Sequence, residues 1–272
     1  MAAHAVPLVA PELDRINRHA YQQRGVLRQF GSASGWLEPG EREAVLSVGD
    51  VARGAPILDI GIGGGRTAPL MREISTDYVG IDYTPEMVEL ARGRFPDLTF
   101  QQMDARNLAF DAGRFQLVTF SYNGIDSVDL AGRQAILREV HRVLRPGGHF
   151  VFSALNHDAA AQARHWPDWS VFRGTGLDPR RLVRAAAKLV VGGVNRLRRA
   201  AMTRDDGEVA MGTISAHNFA LVTVFTSPSA QVRQLRAAGF AVDAIFAPDG
   251  QRMPVDGMGD ATAPWYHFVA RK

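Results

Sequence analysis

A strand-like run ending at Asp59 passes directly into Gly61-Ile62-Gly63-Gly64-Gly65 and then into a helical run. Glycines at such a turn let the backbone fold sharply and let a ligand approach with no Cβ in the way. The helix start that follows presents free N–H groups. Loops of this kind serve nucleotides, dinucleotides and other cofactors, so spacing must separate them. A dinucleotide loop needs glycine at its first, third and sixth positions, and counting from Gly61 the sixth is Arg66. A phosphate-cradling loop ends in Gly-Lys-Ser/Thr, and this one does not. What stands here is acid-x-Gly-x-Gly-x-Gly, with Asp59 two residues ahead of the first glycine. An acid at that point repels pyrophosphate and suits a cationic amino group. Asp82 follows at roughly the 20-residue distance where an acid meets a ribose, and its carboxylate can accept from both ribose hydroxyls at once.

Other residue types able to do chemistry are sparse. His157, His165 and His217 are candidates for a general base, should the other substrate need to lose a proton. No histidine pair sits with carboxylates at a metal-ligand spacing, so no metal is expected. The chain has no cysteine, which excludes disulfides, thiolate metal sites and thiol nucleophiles. Trp166, Trp169 and Phe172 could wall a planar ligand or simply anchor their segment.

Alternating short strands and amphipathic helices must position these residues. Strands are expected at 56–60, 78–82, 98–103, 115–121 and 149–155, with helices at 67–74, 85–94 and 131–144 between them. Thr84-Pro85 reads as a helix start with a hydroxyl cap. Arg145-Pro146-Gly147-Gly148 reads as a helix stop and tight turn. Such repeated units imply an α/β fold with a doubly wound, mostly parallel sheet of seven strands. Residues 1–55 read as N-terminal helices over 11–30 and 39–51, forming a lid, and 56–155 as the cofactor-binding half. Residues 156–228 break the rhythm as an insertion capping the acceptor side, and 229–272 return a helix and two strands.

The insertion holds a basic run (Arg180, Arg181, Arg184, Lys188, Arg196, Arg198, Arg199) around apolar Leu189–Val194; Gly192-Gly193 should weaken a continuous helix there. This run reads as a solvated helical face, with an anionic lipid or acidic partner as the alternative. The net charge of the 272-residue chain is +3. Its positive charge is nearly all arginine and is not gathered into a basic tract with interleaved aromatics, so no nucleic-acid partner is expected. No apolar run approaches the ~20 residues that span a bilayer. No secretory leader is visible. A soluble cytoplasmic protein is the expectation.

Five segments together resemble the ordered motifs of class I S-adenosyl-methionine-dependent methyltransferases: ILDIGIGGGR (57–66), VGIDYTPEMVELAR (79–92), QQMDARNLAF (101–110), FQLVTFSYNGID (115–126) and EVHRVLRPGGHFVFS (139–153). LRAAGFAVDAIF near the C-terminus continues the likeness. The resemblance implies a Rossmann-like sheet and S-adenosyl-L-methionine as cofactor. It implies that Asp59, Gly61, Gly63 and Gly65 form the loop against the methionine moiety, and that Asp82 binds the ribose. Tyr83 would lie against adenine, Asp104 would accept from the adenine amino group, and Ala105 would offer its backbone N–H. Ser121, Tyr122 and Asn123 would face the methionine end and the transferred methyl. Tyr21 and Arg24 on the N-terminal helix would close over the cofactor, and Trp36 could do the same.

The implied reaction is methyl transfer to an oxygen, nitrogen or carbon atom of a small, planar molecule. Two other readings share the frame: a methyltransferase acting on RNA or protein, and a non-catalytic S-adenosyl-methionine-binding protein. A nicotinamide oxidoreductase is opposed by Arg66 at the sixth loop position.

Overall fold

The computed structural model describes residues 10–32, 36–159, 167–173, 176, 178–256, 258 and 262–272. His165 and Trp166 lie outside the described residues, as do the side chains of Arg24 and His217.

Five strands come first: β1 (Ile57–Ile60), β2 (Tyr78–Asp82), β3 (Thr99–Gln102), β4 (Phe115–Phe120) and β5 (Leu144–Leu155). The helices up to this point are α1 (Ala10–Tyr21), α2 (Arg24–Ser32), α3 (Pro39–Leu46), α4 (Gly49–Ala52), α5 (Ala68–Ile74), α6 (Pro85–Arg94) and α7 (Leu130–Val143). The insertion holds α8 (Pro179–Arg198) and strands β6 (Arg204–Asp205), β7 (Val209–Thr213) and β8 (Val222–Thr226). The chain ends with α9 (Pro228–Ala237), β9 (Ala241–Phe246), β10 (Arg252–Met253) and β11 (Trp265–Arg271).

The main sheet runs β10-β9-β11-β5-β4-β1-β2-β3. Strands β1 to β5 pair in parallel, and β9, β10 and β11 join antiparallel. It has eight strands rather than the expected seven, because two residues, Arg252 and Met253, pair with Phe246 and Ile245 at the edge. A two-residue strand leaves no periodic signature in sequence. β1 and β2 are buried along their whole length, as strands covered by helices on both faces must be. Ile57, Leu58 and Ile81 are fully buried. Each such side chain contributes about 2 kcal/mol relative to exposure.

The chain steps outward from β1 to β2 to β3, then returns to β4 on the other side of β1. This reversal opens a crevice beyond the carboxyl ends of β1 and β4, where Ile60 pairs with Phe120. The Gly-rich loop leaves β1 there, and Ser121 leaves β4.

Three local expectations change. The N-terminal helix breaks at Gln22 and Gln23 into α1 and α2 instead of running to Phe30. Thr84 takes the N-cap position of α6 without a side-chain cap bond; Asp82 Oδ1 instead accepts from the Thr84 backbone N–H at 2.9 Å. α8 continues through Gly192-Gly193, because both glycines are buried and a Cβ on Gly192 would press on Phe219 at 3.1 Å. The insertion also builds a second, three-stranded sheet, β6-β7-β8.

Candidate active site

The Gly-rich loop turns where only glycine fits. Gly61 has φ +65° and a Cβ there would lie 2.6 Å from the Phe120 ring. Gly63 has φ +52° and meets the Phe30 ring of α2 at 2.8 Å in the same way. The N-terminal helices therefore sit directly on the loop.

A cavity of about 260 Å³ opens at the crevice. Its wall includes Gly61, Gly63, Asp82, Tyr83, Asp104 and Ala105, all anticipated from the sequence, together with Tyr21, Ser121, Tyr122 and Asn123. Asp82 is 8% exposed. Its Oδ2 accepts from the Gly63 N–H at 3.0 Å, and its Oδ1 from Thr84. A carboxylate offers about four acceptor positions, so one on each oxygen is left for a pair of hydroxyls. Burial pushes the Asp82 carboxyl up to about 6, against the opposing pull of its backbone hydrogen bonds.

Asp104 stands half-exposed at the end of β3. Both its oxygens already accept from the Arg106 side chain, at 2.6 to 3.1 Å. Burial alone would raise its pKa, but the Arg106 hydrogen bonds bring it below the usual carboxylate range. Arg106 also pairs with Asp14 of α1 at 2.7 Å, tying Asp104 to the N-terminal helix. The Arg18 guanidinium lies 5.1 Å from the Tyr83 ring centre.

Tyr122 and Asn123 both have positive φ, at +56° and +59°. A non-glycine residue in the left-handed region costs about 1–3 kcal/mol, which the surrounding packing must offset. The Asn123 N–H donates to Ser153 Oγ at 2.8 Å, while its side-chain Oδ1 is buried with no partner. An orphaned acceptor in a cavity wall fits a ligand that donates. With Asp82, it makes a set of acceptors suited to the hydroxyls and amino group of S-adenosyl-L-methionine.

Asp59 does not reach the cavity. It is fully buried, and its carboxylate accepts from the hydroxyls of Thr67, Tyr78 and Thr119. Burial raises its pKa, and the three hydroxyls moderate the rise. The direct contact expected with a cationic amino group is therefore corrected: Asp59 knots β1 to α5, β2 and β4. Gly65 is also absent from the wall; its φ of +77° serves the close packing of the loop on Phe95. His157 is not brought to the cavity either. Its Nε2 lies 2.7 Å from Asp205 of β6, and its hydrogen bonds with Asp205 and Asp158 raise its pKa although burial opposes this.

Residues the sequence did not single out complete the wall: Ser127, Ile214, Leu221, Thr223 and Trp265. Tyr21 bonds Ser127 through their hydroxyls at 2.9 Å, and burial raises the Tyr21 phenol. Arg66, at the position a dinucleotide loop reserves for glycine, forms a two-pronged pair with buried Glu41 at 2.7 Å and donates to the Trp36 carbonyl. It also lies 5.3 Å from the Tyr122 ring centre and 5.6 Å from that of Trp36. Only spatial neighbours reveal these roles. Among the described residues no group of acids and histidines is arranged to hold a metal ion.

Residues 57–148 match a family described as a methyltransferase domain. An uncharacterized methyltransferase of Synechocystis sp. is 31% identical over 124 residues, covering 46% of this chain and 57% of that protein. A ubiquinone/menaquinone biosynthesis C-methyltransferase of Geobacter sp. is 33% identical over 152 residues, covering 53% of this chain and 58% of that one. The chain thus spans little more than half the length of these relatives. A Burkholderia thailandensis 1,6-didemethyltoxoflavin-N1-methyltransferase, solved with 1,6-didemethyltoxoflavin and S-adenosylhomocysteine bound, superposes with TM-score 0.60 at 16% identity, over 99% of this chain and 93% of that one. An S-adenosylmethionine-dependent methyltransferase of Mesorhizobium loti gives TM-score 0.54 at 22% identity, over 84% and 98%. Residues 57–148 are thus a methyltransferase domain by sequence, and the mostly parallel sheet with the loop at its switch point has the fold of S-adenosyl-methionine-dependent methyltransferases.

Proposed function

We propose that the protein transfers a methyl group from S-adenosyl-L-methionine to an oxygen, nitrogen or carbon atom of a small, largely apolar molecule. The observation that carries this reading is one cavity walled both by Gly61, Asp82 and Asp104 and by Ile214, Leu221, Thr223 and Trp265. When bound, the cofactor supplies a methyl on a cationic sulfur that leaves as a neutral thioether. Asp82 would hold the ribose hydroxyls and Asn123 Oδ1 would take a donor. The insertion and the N-terminal helices act as the lid that excludes water and aligns the acceptor, a contribution of orientation rather than of acid or base. The Tyr21–Ser127 hydroxyl pair and Thr223 are among the polar groups of the wall that would orient the acceptor. No histidine with a described side chain lines the cavity.

The names of similar proteins point to ring compounds methylated on carbon or nitrogen, and these define the first acceptors to try. A cytoplasmic location without a nucleic-acid partner belongs to the same reading. Among the described residues, no helix is long and apolar enough to cross a membrane. The test pairs calorimetric binding of S-adenosylhomocysteine with transfer of labelled methyl to a panel of quinols and nitrogen heterocycles. Saturable binding with label in a small product supports the reading; no binding at millimolar ligand overturns it.

A further inference from the structure

Helix α8 keeps an apolar face in solvent. Its inner side is seated on the turn at 216–219: Gly192 approaches Phe219, and the Asn195 amide donates to the Asn218 carbonyl at 2.9 Å. The outer side carries Val183, Val190, Val194 and Leu197, exposed by 69%, 67%, 40% and 78%. Exposed Ala187 falls between them. The alternating spacing of four and three residues sets these five on one stripe along the helix.

The charge on this helix has one sign. Arg180, Arg181, Arg184, Lys188, Arg196 and Arg198 are all exposed, and residues 179–198 contain no acid. Helical geometry sets Arg180, Arg184 and Arg198 along one flank of the stripe. Trp169, 64% exposed, stands on the short 3-10 turn 169–172 that packs against the same helix. An amphipathic indole beside such a stripe suits the boundary between water and lipid.

We propose that α8 docks this protein on an anionic lipid surface. The stripe enters the boundary between headgroups and acyl chains, and the long basic side chains reach back to the phosphates. Each cation near an anionic surface strengthens partitioning roughly fivefold. A second copy of the chain is the poorer occupant, since a symmetric pairing would set two helices of uniformly positive charge against each other. The helix lies on the surface and does not cross it. Docking would also hold the turn between Ile214 and Leu221, two residues of the cavity wall, one helix diameter, about 10 Å, from the lipid.

The test is co-sedimentation of the full chain with phosphatidylcholine vesicles and with phosphatidylcholine–phosphatidylglycerol vesicles. Association with the anionic vesicles alone, weakened by salt, is expected. The double variant Val190→Asp/Leu197→Glu should abolish it. The triple variant Arg180→Gln/Arg184→Gln/Lys188→Gln should weaken it about 100-fold. Unchanged urea midpoints in both variants establish that they fold. No association with anionic vesicles overturns the proposal, as does association that survives loss of the stripe. A concentration-dependent dimer abolished by Val190→Asp/Leu197→Glu assigns the face to a second copy instead. Binding to an RNA homopolymer without vesicle binding assigns it to a polyanion.

Discussion

The Asn17 side chain pairs with the Val222 backbone as a neighbouring strand would: its Nδ2 donates to the Val222 carbonyl at 2.8 Å, and its Oδ1 accepts from the Val222 N–H at 3.0 Å. The same amide donates to the Ser127 carbonyl, also at 2.8 Å. One residue, 1% exposed, thereby joins helix α1, strand β8 of the insertion and the turn after β4. All three segments contribute to the cavity wall.

Asn17→Ala removes three hydrogen bonds and leaves both Val222 backbone groups unpaired in the interior. A loss of about 2 kcal/mol is expected in urea unfolding. Amide exchange should accelerate first in α1 and β8, the two elements the side chain joins.

Asp82→Asn keeps the shape of the acid and removes its charge. Hydrogen bonds to a charged acceptor contribute about 1.5–3 kcal/mol. Weakening at two hydroxyls should therefore lower S-adenosylhomocysteine affinity about 100-fold by calorimetry, with the far-ultraviolet circular dichroism unchanged.

The same carboxyl sets a pH dependence. Its pKa in the folded, unliganded protein is about 6, above the ordinary 3.8, because burial disfavours the charge. The ionised form is the one that accepts from two hydroxyls, so affinity should fall about tenfold per pH unit below 6. Stability responds in the opposite sense. The folded state binds this proton more readily than the unfolded state between pH 6 and 4, so the group's stabilising contribution is fully present below about 4 and is lost as pH rises through about 6. Asp82→Asn should flatten the affinity profile in that window and remove this group's share of the stability profile, leaving the share of buried Asp126.

Arg133 is almost fully buried against Asp126, whose other oxygen accepts from the Leu155 N–H at 2.6 Å. Gln231 on α9 accepts from the same guanidinium. Burial pushes the Asp126 carboxyl up to about 6, with Arg133 opposing. Arg133→Ala leaves a buried carboxylate without its partner, which costs about 3–5 kcal/mol. The urea midpoint should drop accordingly, and Arg133→Met with Asp126→Asn should recover part of the loss.

Ile214→Trp places bulk in the insertion's share of the wall, at a partly buried position. Methyl transfer to an acceptor found in the panel should fall, while S-adenosylhomocysteine affinity is kept. Loss of both together would show that the insertion supports the cofactor side instead.

The sequence by itself determined the Gly-rich loop and the strand tips that line the cavity, because these are written locally. The run from Ile57 to Gly65, the acid at the tip of β2 and the Asp104-Ala105 step each lie at the end of one strand and in the turn that follows it, where alternation, glycine spacing and proline placement register directly. Only the tertiary structure decided what Asp59 does: its three hydroxyl partners come from α5, β2 and β4, and no local pattern announces that they converge. The same holds for Arg66 with Glu41, for Asn17 with Val222, and for the part of the cavity wall drawn from Tyr21, Ser127, Ile214, Leu221, Thr223 and Trp265. Gly192-Gly193 shows the converse, a helix-weakening pair kept helical because Phe219 packs against it. Periodicity records which face of an element is buried. It does not record which distant element buries it, and in this protein that pairing shapes the wall of the cavity opposite the Gly-rich loop.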